Sequence, residues 1–386
     1  MSIQQLDQCF VENTYSRFPV TLVSGKGAKL WDENGKEYID LGSGIAVNTF
    51  GAADDVWQKA VCTQMGQLAH TSNLYYTEPC ARLAALLCEK TGMKKVFFGN
   101  SGAEANECAI KTARKWGHDH KGEGYDTIVT LKNSFHGRTI ATLAATGQDS
   151  FHTDFGPLPG GFVYAEANNC PDLEKKIKEN QCCAVMMELV QGEGGVLPLT
   201  EEFVQFARRI TEENDLLLIL DEVQTGNGRT GKLYCYMHYG ITPDIFTTAK
   251  GLGGGLPIGA CVMGEKAAGV LTAGKHGSTF GGNPAVCAGA LSILTRLDEA
   301  LLAGVEKKSA YILSQLQGAK GVKSITGKGL MLGIASTKPA KEVISGCLAR
   351  GVLVLSAKDK IRLLPPLNID DALLEKAIHI LKEELA

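Results

Sequence analysis

The sequence predicts an α/β protein built on a mainly parallel central sheet. Three observations carry that expectation. Short apolar runs alternate with helical patterns from about residue 95 to about 265, the rhythm of strand–helix–strand units. Leu216–Leu220 is apolar without interruption, as a strand buried on both faces must be. The residues richest in chemistry fall where such runs end, and ligands of parallel sheets gather at the carboxyl ends of strands.

The expected strands are Lys95–Phe98, Thr127–Leu131, Cys183–Met187, Leu216–Leu220, Ile245–Thr248 and Ile258–Val262. Between them the spacing predicts helices over Ala103–Trp116 and Glu201–Glu213. The second lines Phe203, Phe206, Ala207 and Ile210 along one face, with Thr200 placed as its cap. Before this region, Ala28–Ile39 reads as a hairpin turning at Asn34–Gly35. After it the pattern changes to helices over Pro284–Leu297 and Leu301–Leu316, then short strands near Gly329–Gly333 and Lys360–Leu364. A closing helix puts Leu373, Leu374, Ala377, Ile378, Leu381 and Leu385 on one side. The expected division is an N-terminal segment over 1–50, a large α/β domain over 51–280 and a smaller α+β domain over 281–386.

Composition sets limits on function. With 386 residues, 44% of them hydrophobic, the chain can bury a large core in more than one domain. The 39 basic and 42 acidic residues leave a net charge of −3, which argues against nucleic acid or an anionic membrane as partner. No apolar run approaches the roughly 20 residues of a membrane span. The first residues show neither a signal peptide nor a transit sequence, so a cytoplasmic location is expected. Twelve scattered cysteines with no C-x-x-C pair read as reduced thiols, and His118 and His120 as surface residues; no metal site is expected.

The chemistry centres on Lys250. It sits where one strand gives way to Gly251–Gly255, while Asp221 ends the strand before it. An amine at one strand end, a carboxylate at the next and a glycine-rich loop are what pyridoxal phosphate chemistry requires: the lysine forms a Schiff base and the aspartate keeps the pyridine nitrogen protonated. Ser101, Gly102 and Ala103 open a helix after a strand, which suits a phosphate, although Ser101 alone is equally an ordinary cap. Phe135 can stack on a flat ring or fill a core; Arg138 and Arg362 can clamp carboxylates or face water. Ser278 and Thr279 precede a turn and can bind phosphate or merely cap, and Glu193 lies in the glycine loop 191–195. The stretch Gly226–Lys232 mimics a nucleotide-binding loop, but Leu233 occupies the position where a hydroxyl must hold magnesium.

Taken in order, these residues resemble the class III pyridoxal-phosphate aminotransferases over nearly the whole chain. The resemblance is carried by Phe18–Val20, Trp31–Asp40, Ser101–Glu107, Phe135–Thr139, Gly192–Gly195, Asp221–Gln224, Lys250–Gly251 and Ser278–Pro284. Within the family, Glu12–Phe18, Gly42–Val47, Asn73–Thr77 and Gln224–Gly231 are most similar to the branch that uses N2-acetyl-L-ornithine. The resemblance implies a fold-type I transferase, active as a homodimer, that moves an amino group from acetylornithine to 2-oxoglutarate. Relatives acting on ornithine, succinylornithine, succinyldiaminopimelate or 4-aminobutyrate share the cofactor residues, and a non-catalytic regulatory homologue is the remote alternative.

It also implies roles. Lys250 bonds pyridoxal 5'-phosphate and shuttles the proton. Asp221 meets the pyridine nitrogen, Gln224 the phenolic oxygen, and Phe135 and Val223 enclose the ring. Ser101, Gly102 and Ala103 hold the phosphate, joined by Thr279 from the neighbouring subunit. Arg138 and Ser278 take the acetylornithine carboxylate, with Tyr75 and Tyr76 nearby as discriminators. Arg362 takes the α-carboxylate of glutamate, and Glu193 neutralises Arg362 when the other substrate is bound.

Overall fold

In the computed structural model, which describes residues 1–386, seven strands form the central sheet. They are β1 (Lys95–Gly99), β2 (Thr127–Leu131), β3 (Phe162–Ala165), β4 (Cys182–Met187), β5 (Leu217–Asp221), β6 (Ile245–Thr248) and β7 (Gly259–Met263). Their spatial order is β1-β7-β6-β5-β4-β2-β3. Neighbours from β6 across to β3 run parallel, whereas β7 is antiparallel to both β6 and β1. The reason is chain length: Ala249–Ile258 is too short for the crossover helix a parallel partner needs. Every residue of β4 and β5 is buried, which accounts for their unbroken apolar sequence.

Strand β3 was not among those expected from sequence. It is an edge strand of four residues whose first three are only half-buried, so its pattern is faint. One helix before the sheet, Asp55–Gln67, also lacked a clear signal; it and Glu78–Thr91 pack against Pro284–Leu294, a helix that stops three residues earlier than its periodicity suggests.

The hairpin forms from Lys29–Asp32 and Glu37–Asp40, with Gly35 at φ 79°, where a side chain would be strained. Val352–Leu353 adds to it in parallel, joining the N-terminal segment to the C-terminal part. There, Val322–Lys328, Met331–Ser336, Lys360–Leu363 and Leu355–Ala357 make an antiparallel sheet in that order. Arg362 therefore lies on an inner strand, opposite Gly333. A Cβ at Gly333 would stand 2.8 Å from the Val196 side chain, so this glycine lets the 192–196 loop lie against the strand that carries Arg362. All twelve cysteines are free thiols, and no helix is long and apolar enough to cross a membrane.

Candidate active site

Four strand ends, those of β1, β4, β5 and β6, converge on one cavity of about 490 Å³. Asp221, the last residue of β5, is 4% exposed and fully engaged. Its Oδ1 accepts from the Val223 amide at 3.0 Å; its Oδ2 accepts from Asn106 Nδ2 at 2.8 Å and meets His136 Nδ1 at 2.8 Å. Facing a carboxylate at that distance, His136 Nδ1 carries the proton and donates. Asn106 in turn donates to the His136 carbonyl and accepts from Thr247 on β6. A buried carboxylate with every partner supplied by protein is fixed in direction.

The helix after β1, Gly102–Lys121, starts on the cavity wall. Ser101 caps it by accepting from the Glu104 amide, and Glu104 returns bonds to Asn100 and Ser101. The capping reading of Ser101 is thus correct at the level of structure. It leaves the Gly102 and Ala103 amides with no acceptor in the chain, pointing donors and a positive dipole end at the cavity. Gly102 is required here: an added Cβ would lie 2.8 Å from Val223 Cγ1.

Lys250 follows β6 with φ 42°, a left-handed conformation that costs a non-glycine residue about 1–3 kcal/mol. Two ties hold it. Asn227 Nδ2 donates to the Ala249 carbonyl at 3.2 Å, and Thr49 Oγ1 donates to the Gly251 carbonyl at 2.7 Å. Burial pushes the Lys250 amine below the usual lysine value; Glu193 opposes that shift and Arg362 adds to it. A depressed amine pKa keeps more of the neutral, reactive form available.

Arg362, 3% exposed, lies behind Gln224 of the cavity wall; neither it nor Glu193 lines the cavity directly. Its Nη1 donates to Glu193 Oε1 at 2.5 Å and to Gln224 Oε1 at 3.3 Å, while its Nε finds no partner. Burial works to raise the Glu193 pKa, but the Arg362 charge and hydrogen bond outweigh it and hold the carboxyl below its usual range. Arg138 lines the cavity with its guanidinium exposed and free of any hydrogen bond or ion pair. Phe135 lines it too.

Ser278, Thr279, Tyr75 and Tyr76 stand apart from this cavity. Ser278 and Thr279 border a separate polar hollow with His70, Ser72 and Asn73, and do not reach the Lys250 cavity within one chain. Ser278 Oγ is engaged by Asn100 and the Gly281 amide, and Thr279 is exposed. Tyr75 and Tyr76 are also exposed and outside the cavity; Tyr76 is wholly so.

Sequence reasoning gave no role to Asn106, His136 or Glu188, all of which line the cavity. Glu188 accepts from the Phe135 amide at 2.8 Å and the Gly192 amide at 3.1 Å, tying together the loops that carry Phe135 and Glu193. Burial drives its pKa up to about 7, His136 pulling it down and Asp221 pushing it further up. Its signal was present: like Asp221, it is an acid at the end of an apolar strand.

The family description Aminotransferase class-III matches residues 10–385. An acetylornithine aminotransferase of Haemophilus ducreyi is 48% identical over 386 residues, covering 100% of this chain and 98% of that protein. A succinylornithine transaminase of Salmonella paratyphi A is 46% identical over 367 residues, with 92% and 90% covered. Among solved structures, an ornithine aminotransferase of Toxoplasma gondii, described with partial occupancy of PLP at its active site, superposes with a TM-score of 0.94 at 31% identity. That match covers 99% of this chain and 93% of the other.

Proposed function

The chain belongs to the class III aminotransferases, and we propose that within this family it transfers the δ-amino group of N2-acetyl-L-ornithine to 2-oxoglutarate, giving N-acetyl-L-glutamate 5-semialdehyde and L-glutamate. The family's cofactor is pyridoxal 5'-phosphate, and the cavity suits it on two counts. The unpaired Gly102 and Ala103 amides match a phosphate, and the buried, oriented Asp221 matches a protonated ring nitrogen. When bound, the cofactor supplies an aldehyde that takes up amino groups and a ring that accepts the electrons of a broken C–H bond.

The protein's share is orientation, charge and proton movement. Lys250 would hold the cofactor, and its amine would move the proton at the amino-bearing carbon. Asp221, held by Asn106 and His136, keeps the ring nitrogen protonated. Gln224 reaches the phenolic oxygen, and Phe135 and Val223 confine the ring from its two faces. Arg138 takes the carboxylate of acetylornithine. Arg362 takes the α-carboxylate of glutamate or 2-oxoglutarate, for which Glu193 stands in when the other substrate is present.

The observation that carries this reading is the Arg362–Glu193 pair beside Lys250. A ping-pong transaminase must admit one substrate with a carboxylate next to the reacting amine and one without. A buried arginine with no counter-charge is costly, so a replaceable internal partner suits that alternation. Glu193 is half-buried and sits on a glycine loop, which allows it to leave.

The reading extends to the assembly. Thr279, exposed and remote from this chain's cavity, is assigned to the phosphate of a second subunit, while Ser278 keeps the acetylornithine carboxylate as its ligand; the site is then complete only in a homodimer. The near-equal identity to a succinylornithine transaminase supports a second substrate, N-succinylornithine. A half-reaction screen decides: each amine donor is added to the yellow cofactor-loaded protein without acceptor, and bleaching of the visible band is timed. Acetylornithine should bleach it fastest. A faster response to succinylornithine or ornithine would replace the substrate, and no response to any donor would refute the transaminase reading.

A further inference from the structure

Arg138 is the exposed cation of the site, and nothing polar holds it. No carboxylate, carbonyl or amide lies within bonding distance of its guanidinium, which is exposed at the cavity. A free arginine has a long, rotamer-rich side chain that a bound carboxylate would have to immobilise. Here it is already stacked. Its Cζ lies 4.2 Å from the centroid of Phe151 and 5.7 Å from that of Phe135. The two rings meet edge to face, with centroids 5.9 Å apart and planes at 69°.

Phe151 has no place in the chemistry and does not line the cavity. It ends a single turn, Asp149–Phe151, that is anchored on both flanks. Gln148 Nε2 donates to the Ser134 carbonyl at 3.0 Å, tying the turn to the loop that bears Phe135 and Arg138. The ring of His152 bonds the Leu143 carbonyl at 2.9 Å. The turn thus presents one aromatic face to one guanidinium.

We propose that Phe151 is a positioning residue: its ring holds the Arg138 guanidinium by a cation–π contact, leaving the bidentate fork open for a substrate carboxylate. An acidic residue in that place would fix Arg138 too, but would compete with the carboxylate. An aromatic face fixes it without occupying its donors. The inference rests on Arg138 taking the donor carboxylate, as proposed above.

The test pairs a protein change with a substrate change. Phe151→Leu keeps apolar bulk and removes the π face; Phe151→Tyr keeps the face. N-acetylputrescine is acetylornithine without its carboxylate. With the cofactor-loaded enzyme, Phe151→Leu should raise KM for acetylornithine about fivefold and change kcat little, a loss in the range of one cation–π contact. The same variant should leave KM for N-acetylputrescine unchanged, and Phe151→Tyr should restore the acetylornithine value. Calorimetric binding of N-acetylnorvaline, which keeps the carboxylate and lacks the reacting amine, should weaken by the same factor. Equal losses for both donors, or a Tyr variant as impaired as Leu, would overturn the proposal. If Phe151→Leu fails to fold, the Tyr variant together with Phe151→Met decides by the same comparison. A different donor emerging from the half-reaction screen would displace the substrate reading alone, and Phe151 would be tested on that donor and its decarboxylated form.

Discussion

At Asp221 both carboxylate oxygens are met inside the protein, whereas at Arg138 the guanidinium has no polar partner at all. Burial explains the contrast. Asp221 is cut off from water, so its charge must be compensated by Asn106, His136 and the Val223 amide; Arg138 stands in solvent and pays nothing for being unpaired. The difference matches two kinds of ligand. A resident cofactor needs a wall with no freedom, and a substrate that arrives and leaves needs donors not already spent. Arg362 lies between these extremes: it is buried, and its Nη1 is met by Glu193, the internal partner that we propose a substrate carboxylate replaces.

The contrast breaks first at its rigid end. Asp221→Ala leaves His136 and Asn106 aiming donors at nothing, and losing one partner of a buried charged cluster costs about 3–5 kcal/mol. Cofactor affinity, read from fluorescence titration, should fall by roughly 10²–10⁴-fold. Affinity within threefold of the unaltered protein would show that the network is not what holds the ring. Next is Arg362→Ala. Single-turnover rates for 2-oxoglutarate should drop about 10²-fold while the acetylornithine half-reaction stays near normal, since only the former places a carboxylate there. Equal losses in both halves would contradict the exchange with Glu193.

The smallest effect sharpens the role of burial itself. Glu222 directly follows Asp221 but is fully buried without a cation, bonded to the Thr225 hydroxyl and the Cys235 and Tyr236 amides. Burial raises its pKa to about 7. A carboxyl raised in the folded state binds its proton more tightly there than when unfolded. Its stabilising contribution is therefore complete below the ordinary value near 4.5 and is lost as pH rises through about 7. Glu222→Gln should flatten the decline of the unfolding midpoint across that window. An unchanged pH slope would assign the decline to other groups, Glu188 first.

How much of this was legible in the residues depended on burial on both sides. Strands β4 and β5 announce themselves because no polar residue interrupts them, while β3, at the sheet edge and half-exposed, does not. The direction of β7 was not readable from its composition and emerged only in its antiparallel pairing with β6 and β1. Lys250, Asp221 and the Gly102 helix start stand out because strand ends and helix starts have sequence signatures. His136 and Asn106 do not, since their value comes from meeting Asp221 across 85 and 115 residues of chain. Phe151 is further hidden: a phenylalanine in a polar loop has no signal until the arginine stacked on it is seen.

The central claim is that position 250 carries the cofactor. Borohydride reduction of the loaded enzyme, followed by proteolysis and mass mapping, tests it most directly. A pyridoxyl group on Lys250, absent from the Lys250→Ala protein, is the predicted result. A label on any other lysine, or on none, contradicts the account.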